Sequence, residues 1–321
     1  MTVFVELLRQ GRINPEPKVL EKIRASFASE LLVNIDTVTS AVHFYSEVCA
    51  LPSTITKAIV LKQEGVLVNG PLMSDKPKLL MGSREDGRQL AVKLLFVDND
   101  DVRPVKDREA EMDNEVQCCK DLALSADGLA ALVSYEVVTL DVPSEFVQQT
   151  RKRGQFTALL MPRYLGSVAR GPMFSKTVLA REARRLFGAL RHIHAQGYVH
   201  MDVKGDNVFY DDKSFWFLGD FGSACRVGTA VHSTTEVFYH NEILGQPALA
   251  KYDWFMLLVM LLIEFENKEV WGLRFIEQGQ LKVGSVLVMN EALRVIGEET
   301  YPHDLRDVIS EIVDAYSSAE A

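Results

Sequence analysis

The chain has 321 residues, a hydrophobic content of 47%, a charged content of 25% and a formal net charge of −9. This composition is that of a globular protein, and the length leaves room for one large domain or two lobes. The negative charge argues against partners held by general electrostatic attraction. The sequence therefore predicts no nucleic-acid partner and no anionic membrane surface.

The cysteines and the apolar runs bear on location. The four cysteines show no CxxC spacing and no dense framework, which predicts reduced thiols in an intracellular, cytoplasmic protein. The N-terminus lacks the basic start and apolar run of a secretory signal. The most apolar run, Trp254 to Ile263, is too short to span ~30 Å of hydrocarbon. We therefore expect it to form a buried helix, and we expect no membrane anchor.

The first 55 residues predict two amphipathic helices. Apolar residues recur at steps of three or four over 19–31 and again over 38–48. We expect a helical N-terminal extension over residues 1–55 that packs on the main body. The alternative is a docking helix pair, which would give the chain a regulatory partner.

Residues 56–163 predict a small sheet with one helix. Short apolar runs are separated by glycines, and Glu85-Asp86-Gly87 is typical of a hairpin turn. A charged helix is predicted from about Val105 to Leu122. It is followed by two strand candidates, "ALVSYEVVTL" and "FTALLM".

Residues 164–321 are mainly helical in pattern. A long amphipathic helix is predicted to begin after Ser175, as its N-cap, and to stop at Gly197. A short hairpin, "VFYDDKSFWFL", comes later, and helices dominate from Tyr252 onward. The sequence thus predicts an α+β chain, with a sheet-rich part over 56–163 and a helical part over 164–321.

The stretch "HMDVKGDN", followed by "GDFGSA", contains the groups that phosphoryl transfer needs. Asp202 can accept a proton from an incoming hydroxyl, and Lys204 can neutralise a phosphate. Asn207 offers a neutral oxygen to a hard cation such as Mg²⁺, and Asp220 offers a second oxygen. Because phosphoryl transfer depends mainly on positioning and charge neutralisation, these four residues indicate that chemistry.

The order and spacing of these two stretches resemble the catalytic loop and the metal loop of eukaryotic protein kinases. The matching residues are His200, Asp202, Lys204, Asn207 and the run Asp220-Phe221-Gly222. The resemblance covers about residues 56 to 310. It implies a two-lobed kinase-like fold, with a small antiparallel β-sheet lobe carrying one helix and a larger, mainly helical lobe. It also implies ATP and Mg²⁺ as cofactors and a protein as substrate.

The resemblance assigns nucleotide-binding roles to residues outside these loops. "LAVKLL" is similar to the third-strand motif of the family, which implies that Lys93 holds the α and β phosphates of ATP. It implies too that Ala91 touches adenine and that Phe209 closes the pocket from the other lobe. "ALLMPRY" resembles the link between lobes, with Met161 at the back of the nucleotide pocket.

Three further matches concern residues that support these groups. "NEVQCCKDL" resembles the helix that supplies a carboxylate partner for the strand lysine, pointing to Glu115. Glu111, one helical turn earlier on nearly the same face, is the alternative. "STTEVFYHNE" resembles the substrate-positioning segment, implying that Thr235 contacts the catalytic Asp and Lys as in Ser/Thr-directed members. "YDWFMLLVMLLIEF" resembles the helix whose leading aspartate, here Asp253, anchors the catalytic-loop backbone.

Two departures from the family pattern affect the expected function. The region before Lys93 has no G-x-G-x-x-G, since Gly65 and Gly70 are too far apart, so we expect weak ATP binding or a different phosphate cover. Met201 stands where many kinases have an arginine that pairs with a phosphorylated residue. We therefore predict that phosphorylation of Ser233 or Thr234 does not switch activity on.

Three interpretations follow from these matches and departures. The leading one is an active kinase that transfers the γ-phosphate of Mg-ATP to Ser or Thr hydroxyls of proteins. The alternative is a pseudokinase that acts as a binding or scaffold module, and the third is a small-molecule phosphotransferase. The stretch "KGDNVFYDDKSFWFLGDFGSAC" is also similar to kinase domains of Crinkler-type effectors, which would imply a nuclear or host-cell setting.

Overall fold

The computed structural model describes residues 65–71, 79–95, 105–123, 131–141, 155–234, 243–265, 276–277, 280–281 and 285–319. The predicted helical extension over 1–55 lies outside these residues, and so does Thr235. The described residues form two compact units. The first holds those up to Glu109 together with Glu136–Arg163, and the second holds Ala110–Tyr135 and those from Tyr164 onward.

A five-stranded antiparallel sheet forms the first unit, in the order β1-β2-β3-β5-β4. Its strands are β1 (Val66–Pro71), β2 (Leu79–Arg84), β3 (Gln89–Leu95), β4 (Glu136–Asp141) and β5 (Gln155–Pro162). The central strand β3 buries Val92 and Leu94 almost completely, as its apolar sequence requires. The antiparallel sheet that the sequence predicted is therefore confirmed.

The turn between β2 and β3 forms at the predicted Glu85-Asp86-Gly87. Gly87 has a φ of 86°, a conformation that favours glycine, and its N–H donates to the carbonyl of Arg84 at 2.9 Å. The Asp86 carboxylate accepts the N–H of Arg88 at 3.0 Å. Local hydrogen bonds thus fix the turn and the register of the hairpin.

Helices dominate the second unit. They are α1 (Val105–Ala123), α2 (Lys176–Ala195), α3 (Ala250–Phe265), α4 (Ser285–Gly297) and α5 (His303–Ser318). Helix α1 belongs to this unit from Ala110 onward. The predicted bounds of α2 are confirmed, because the Ser175 side chain accepts the N–H of Val178 at 3.3 Å and Gly197 follows with a φ of 79°.

The core of the second unit is built around α3. This helix is apolar on every side, and Met256, Leu257, Leu258 and Leu261 are fully buried. The helices α2, α4 and α5 pack against it. The prediction of a buried helix over 254–263 is confirmed. Among the described helices, none is long and apolar enough to cross a membrane.

Short strands position the two loops of interest. The strands next to the loops are β7 (Tyr198–Val199), β8 (Val208–Tyr210), β9 (Trp216–Leu218) and β10 (Cys225–Arg226). Of the other short strands, β6 (Gly166–Ser167) pairs with β8, and β11 (Ile276–Glu277) pairs with β12 (Gln280–Leu281). The catalytic loop, residues 200–207, connects β7 to β8, and the metal loop, residues 219–224, connects β9 to β10. Because β7 pairs with β10 and β8 pairs with β9, both ends of the two loops are held together.

One strand starts later than predicted. The run "ALVSYEVVTL" begins at residue 131, yet β4 begins at Glu136. Residues 131–135 instead lie alongside β9. Leu218 of β9 donates its N–H to the carbonyl of Ala131, and its own carbonyl accepts the N–H of Val133, both at 2.8 Å. This segment belongs to the second unit, and its last residue, Tyr135, lies next to the metal loop.

Candidate catalytic site

Three of the predicted residues form one hydrogen-bonded group in the catalytic loop. Lys204 Nζ lies 3.0 and 2.8 Å from the two carboxylate oxygens of Asp202. Asn207 Nδ2 donates to Oδ2 of Asp202 at 2.7 Å and to its carbonyl at 2.9 Å. Because the amide nitrogen faces the carboxylate, the carbonyl oxygen of Asn207 is the atom that a cation would use.

Asp253, the aspartate near the start of α3, fixes the backbone of this loop. Its carboxylate accepts the N–H groups of His200 and Met201, each at 2.8 Å. The ring of His194 contributes a third contact at 2.8 Å. Since Asp253 is fully buried, these bonds replace the water that its charge would otherwise require. This is the anchoring role that the resemblance implied for Asp253.

Met201 has an unusual backbone conformation and no solvent exposure. Its φ is 64°, in the left-handed region, and its side chain is completely buried. The carbonyl of Met201 accepts the Thr234 hydroxyl at 2.8 Å. Both polar groups of the Met201 backbone are therefore bonded, one to Asp253 and the other to Thr234.

His200 joins the catalytic loop to the metal loop. Its Nδ1 accepts the N–H of Asp202 at 3.2 Å, so the proton of the neutral ring resides on Nε2. Nε2 lies 3.1 Å from the carbonyl of Gly219 and donates to it. The N–H of Gly219 in turn donates to the carbonyl of Asn207 at 2.9 Å. Gly219 is thus bonded to both ends of the catalytic loop and directly precedes Asp220.

Asp220 also occupies the left-handed region, with φ 60° and ψ 75°. Its N–H donates to the hydroxyl of Tyr135 at 2.8 Å. The ring of Phe221 packs between those of His200 and Tyr135, with centroid distances of 5.3 and 5.8 Å. Sequence reasoning gave Tyr135 no role, because a contact across 85 residues leaves no local pattern.

The remaining predicted residues are placed as follows. Ala91 on β3 pairs with Met161 on β5, and both side chains are buried. Lys93, two residues further on β3, pairs with Leu159 and is half-buried. Phe209 lies on β8 and stacks on the ring of Tyr164 with a centroid distance of 5.8 Å. The roles of these residues in binding ATP stay predictions.

Helix α1 carries both candidate carboxylates. Glu115 is 5% exposed, whereas Glu111 is half-buried. The side chain of Asn114, next to Glu115, donates to the carbonyl of Ala224 after the metal loop. The pairing of Lys93 with either carboxylate stays a prediction. The expectation about the phosphate cover also stays a prediction, because residues 72–78, between β1 and β2, lie outside the described part of the chain.

Comparisons with known proteins agree with this geometry. A family model described as "Protein kinase domain" matches residues 79–315. The Saccharomyces cerevisiae serine/threonine-protein kinase PSK1 is 29% identical over 131 residues, which is 37% of this chain and 9% of that protein. The serine/threonine-protein kinase US3 homolog of Gallid herpesvirus 2 is 38% identical over 74 residues, which is 22% of this chain and 18% of that protein. The matches thus span less than a fifth of these relatives.

The fold has a solved counterpart. The structure of the Cydia pomonella granulovirus kinase PK-1 superposes with a TM-score of 0.51 and covers 84% of this chain and 94% of that chain. The sequence identity is 14%, so this likeness concerns the fold. It agrees with the kinase-like α+β fold expected from the sequence.

Proposed function

The chain belongs to the protein kinase family, and we propose that it is an active enzyme that transfers the γ-phosphate of Mg-ATP to Ser or Thr hydroxyls of proteins. The observation that carries the proposal is the group formed by Asp202, Lys204 and Asn207, which Gly219 connects to Asp220. This group combines a proton acceptor, a cation and two oxygen ligands in two loops that are bonded to each other.

Asp202 is the proposed catalytic residue. Its carboxylate is 13% exposed, which leaves it accessible to a substrate hydroxyl whose proton it orients and accepts. Lys204, 2.8 Å away, balances the carboxylate charge and contacts the γ-phosphate during transfer. The proposed role of Lys204 therefore depends on the same hydrogen bonds that hold Asp202 in place.

Asn207 and Asp220 are the proposed Mg²⁺ ligands. They offer one amide oxygen and one carboxylate, which are the hard oxygen donors that Mg²⁺ prefers. Mg²⁺, when bound, supplies neutralisation of the phosphate charge. The neighbouring bonds of Asn207 to Asp202 and of Asp220 to Tyr135 orient these two ligands.

Nucleotide contacts are proposed for four residues that the resemblance to protein kinases singled out. Lys93 and Ala91 on β3 are assigned to the phosphates and to adenine respectively, and Met161 and Phe209 are assigned to the adenine pocket. Glu115 is preferred to Glu111 as the supporting carboxylate, because Glu115 is 5% exposed and an ionised group so deeply buried needs a partner.

The Ser/Thr preference is supported by three features. Lys204 and Thr235 match the pattern of Ser/Thr-directed kinases, and PSK1 and the US3 homolog carry that specificity in their names. Thr235 is proposed to contact Asp202 and Lys204. The substrate is accordingly a protein, and residues 1–55 are the segment we propose for a regulatory partner.

We also propose that activity does not depend on phosphorylation of the activation segment. Met201 cannot bind a phosphate, and its side chain is fully buried. Ser233 donates to Ser223 at 3.0 Å and Thr234 donates to the carbonyl of Met201, so both hydroxyls already order this segment.

An intracellular, cytoplasmic location completes the proposal, supported by the three buried free cysteines of the described chain.

A set of contacts between α1 and β10 supports this independence. The Asn114 side chain donates to Ala224, and Asp121, two helical turns further along the same face, accepts from Arg226 at 2.8 Å. The Tyr198 hydroxyl donates to Asp121 at 2.7 Å, and the Arg226 guanidinium lies 3.9 Å from the centroid of the Tyr198 ring. The Asp121 carboxylate thus binds Arg226, the arginine that follows the metal loop, without any phosphate group.

The proposed function is tested by radiolabelled Mg-ATP with a generic protein substrate. Asp202→Asn and Asp220→Asn change one atom in each key residue, and Asp212→Asn makes the same change at an exposed position of the β8–β9 hairpin. Loss of the positioned base is expected to lower turnover ~10²–10⁴-fold in Asp202→Asn. Asp220→Asn should lower turnover and raise the Mg²⁺ concentration that activity requires, while Asp212→Asn should match the wild type.

Other results would favour the alternatives. If the wild type transfers no label and Mg-ATP does not raise its melting temperature, the missing glycine-rich loop has made the chain a pseudokinase. Transfer to small-molecule hydroxyls without transfer to protein would instead indicate a small-molecule phosphotransferase. Equal activity in the wild type, Asp202→Asn and Asp220→Asn would contradict the assigned site.

A further inference from the structure

The segment that precedes β4 is docked on the strand that precedes the metal loop. Leu132 and Leu218 form a parallel bridge, and hydrogen bonds from Ala131 and to Val133 hold the two backbones in register. The segment ends at Tyr135, whose ring is therefore placed beside the metal loop by backbone contacts. All of these contacts lie within the second unit.

The Tyr135 hydroxyl makes a specific contact there. It accepts the N–H of Asp220 at 2.8 Å, while its ring meets Phe221 edge to face at an interplanar angle of 69°. The ring provides packing, and the hydroxyl provides a polar contact to the Asp220 backbone.

The contact between Tyr135 and Asp220 depends on a glycine at position 219. A β carbon on Gly219 would lie 2.7 Å from Cγ2 of Val133 and 2.8 Å from the hydroxyl oxygen of Tyr135. Such distances are shorter than real carbon contacts allow. Because Gly219 has no side chain, the segment 131–135 approaches the metal loop closely enough for the Tyr135 hydroxyl to accept the N–H of Asp220.

We propose that Tyr135 is a positioning residue for the metal loop, and that its hydroxyl holds Asp220 in the backbone conformation that presents the carboxylate to a divalent cation. The left-handed conformation of Asp220 is unfavourable for a residue with a β carbon, so it needs support from its surroundings. The N–H bond to Tyr135 gives that support directly at the strained residue. The cation-binding part of this inference rests on the proposed function; the hydrogen bond does not.

The test is Tyr135→Phe in the full chain, since this change removes the hydroxyl and retains the ring. Losing one net hydrogen bond is expected to raise the Mg²⁺ concentration for half-maximal activity about 2- to 10-fold. The KM for the protein substrate should stay unchanged. Tyr316→Phe, at a buried tyrosine of α5 that packs on Phe255, is the matched control and should leave the Mg²⁺ requirement as it is.

Gly219→Ala offers a second route to the same defect. The added methyl group meets both Val133 and Tyr135, so Val133→Ala is combined with it to remove the 2.7 Å contact with Cγ2, which leaves the Cβ of residue 133 at 3.1 Å. The pair Val133→Ala/Gly219→Ala should then raise the Mg²⁺ requirement as Tyr135→Phe does, and Val133→Ala alone should not. A normal Mg²⁺ requirement in the pair would count against the proposal.

Amide hydrogen exchange gives a readout that needs no catalysis. The N–H of Asp220 should exchange about 2- to 10-fold faster in Tyr135→Phe than in the wild type, with no such change in Tyr316→Phe. Unchanged exchange at Asp220 would overturn the proposal whether or not the enzyme is active. Higher activity in Tyr135→Phe would also overturn it, because the hydroxyl would then restrain the loop. A wild type without phosphotransfer but with faster exchange in the variant would reject the proposed function and leave the positioning role standing.

Discussion

Asp253 Oδ1 accepts the N–H of Met201 at 2.8 Å, and Met201 is held there with a φ of 64° and a fully buried side chain. A left-handed conformation costs a residue with a β carbon about 1–2 kcal/mol. A hydrogen bond to a charged group contributes about 1.5–3 kcal/mol, which is enough to hold Met201 in place. The conformation of the residue before Asp202 is therefore set from α3.

The first prediction concerns this anchor. Asp253→Ala leaves two buried N–H groups and the ring of His194 without their shared acceptor. We expect a loss of about 3–5 kcal/mol in the free energy of unfolding, measured by urea denaturation, together with loss of phosphotransfer. Asp304→Ala, at an exposed position of α5, is the control. Wild-type stability in Asp253→Ala would show that the anchor is dispensable.

A second prediction follows from the burial of Met201. Met201→Arg restores the arginine typical of many kinases but places a guanidinium where the side chain has no exposure. We expect it to lower the melting temperature strongly and to create no dependence on phosphorylation. Met201→Leu, which nearly conserves volume, should cost less than ~1.5 kcal/mol. A stable Met201→Arg enzyme that is activated by phosphorylation would disprove this explanation.

The third prediction tests control by the activation segment. Ser233→Ala/Thr234→Ala removes the bonds to Ser223 and to the carbonyl of Met201, each contributing about 0.5–1.5 kcal/mol. Turnover should therefore stay within a few-fold of the wild type. Phosphatase treatment of the wild type should also leave the rate unchanged. A collapse of activity after phosphatase treatment would show that phosphorylation switches the enzyme on, and a collapse in the double alanine variant alone would contradict the predicted tolerance of losing both hydroxyls.

The sequence predicted the elements that depend on local patterns. The β2–β3 hairpin and the bounds of α2 follow from Gly87, Ser175 and Gly197, which act on their immediate neighbours. The buried helix α3 follows from its continuous apolar run. The order of motifs also predicted which residues meet in the catalytic loop, since Asp202, Lys204 and Asn207 lie within six positions of each other.

The contacts that join distant segments were not predictable in this way. Tyr135 meets Asp220 across 85 residues, and Asp121 meets Arg226 across 105. A tyrosine at the start of a strand-like run and an aspartate on a charged helix match many other environments equally well. Only the docking of residues 131–135 on β9 decides that the Tyr135 hydroxyl faces the metal loop.

The fourth prediction concerns cysteine reactivity. Burial raises the pKa of Cys118 to about 12 and that of Cys225 to about 11. Because the thiolate is the reactive form, both thiols should resist iodoacetamide at pH 8 in the folded protein and react after denaturation. Raising the pH towards 11 should label Cys225 before Cys118. Peptide-resolved mass spectrometry distinguishes the two sites, and rapid native labelling of Cys225 at pH 8 would contradict its assignment as a buried structural thiol.

The last prediction addresses the contact between Asp121 and Arg226, whose side chains are 27% and 49% exposed. An ion pair this accessible to solvent contributes about 0.2–1 kcal/mol, and the stacking of Arg226 on Tyr198 adds about 0.5–1 kcal/mol. Arg226→Ala should therefore lower kcat only a few-fold, and Arg226→Lys should recover part of the loss. The exchange Asp121→Arg/Arg226→Asp should be more active than either single change, because it restores opposite charges on α1 and β10. Independent, additive effects of the two single changes would show that this ion pair does not couple α1 to the metal loop.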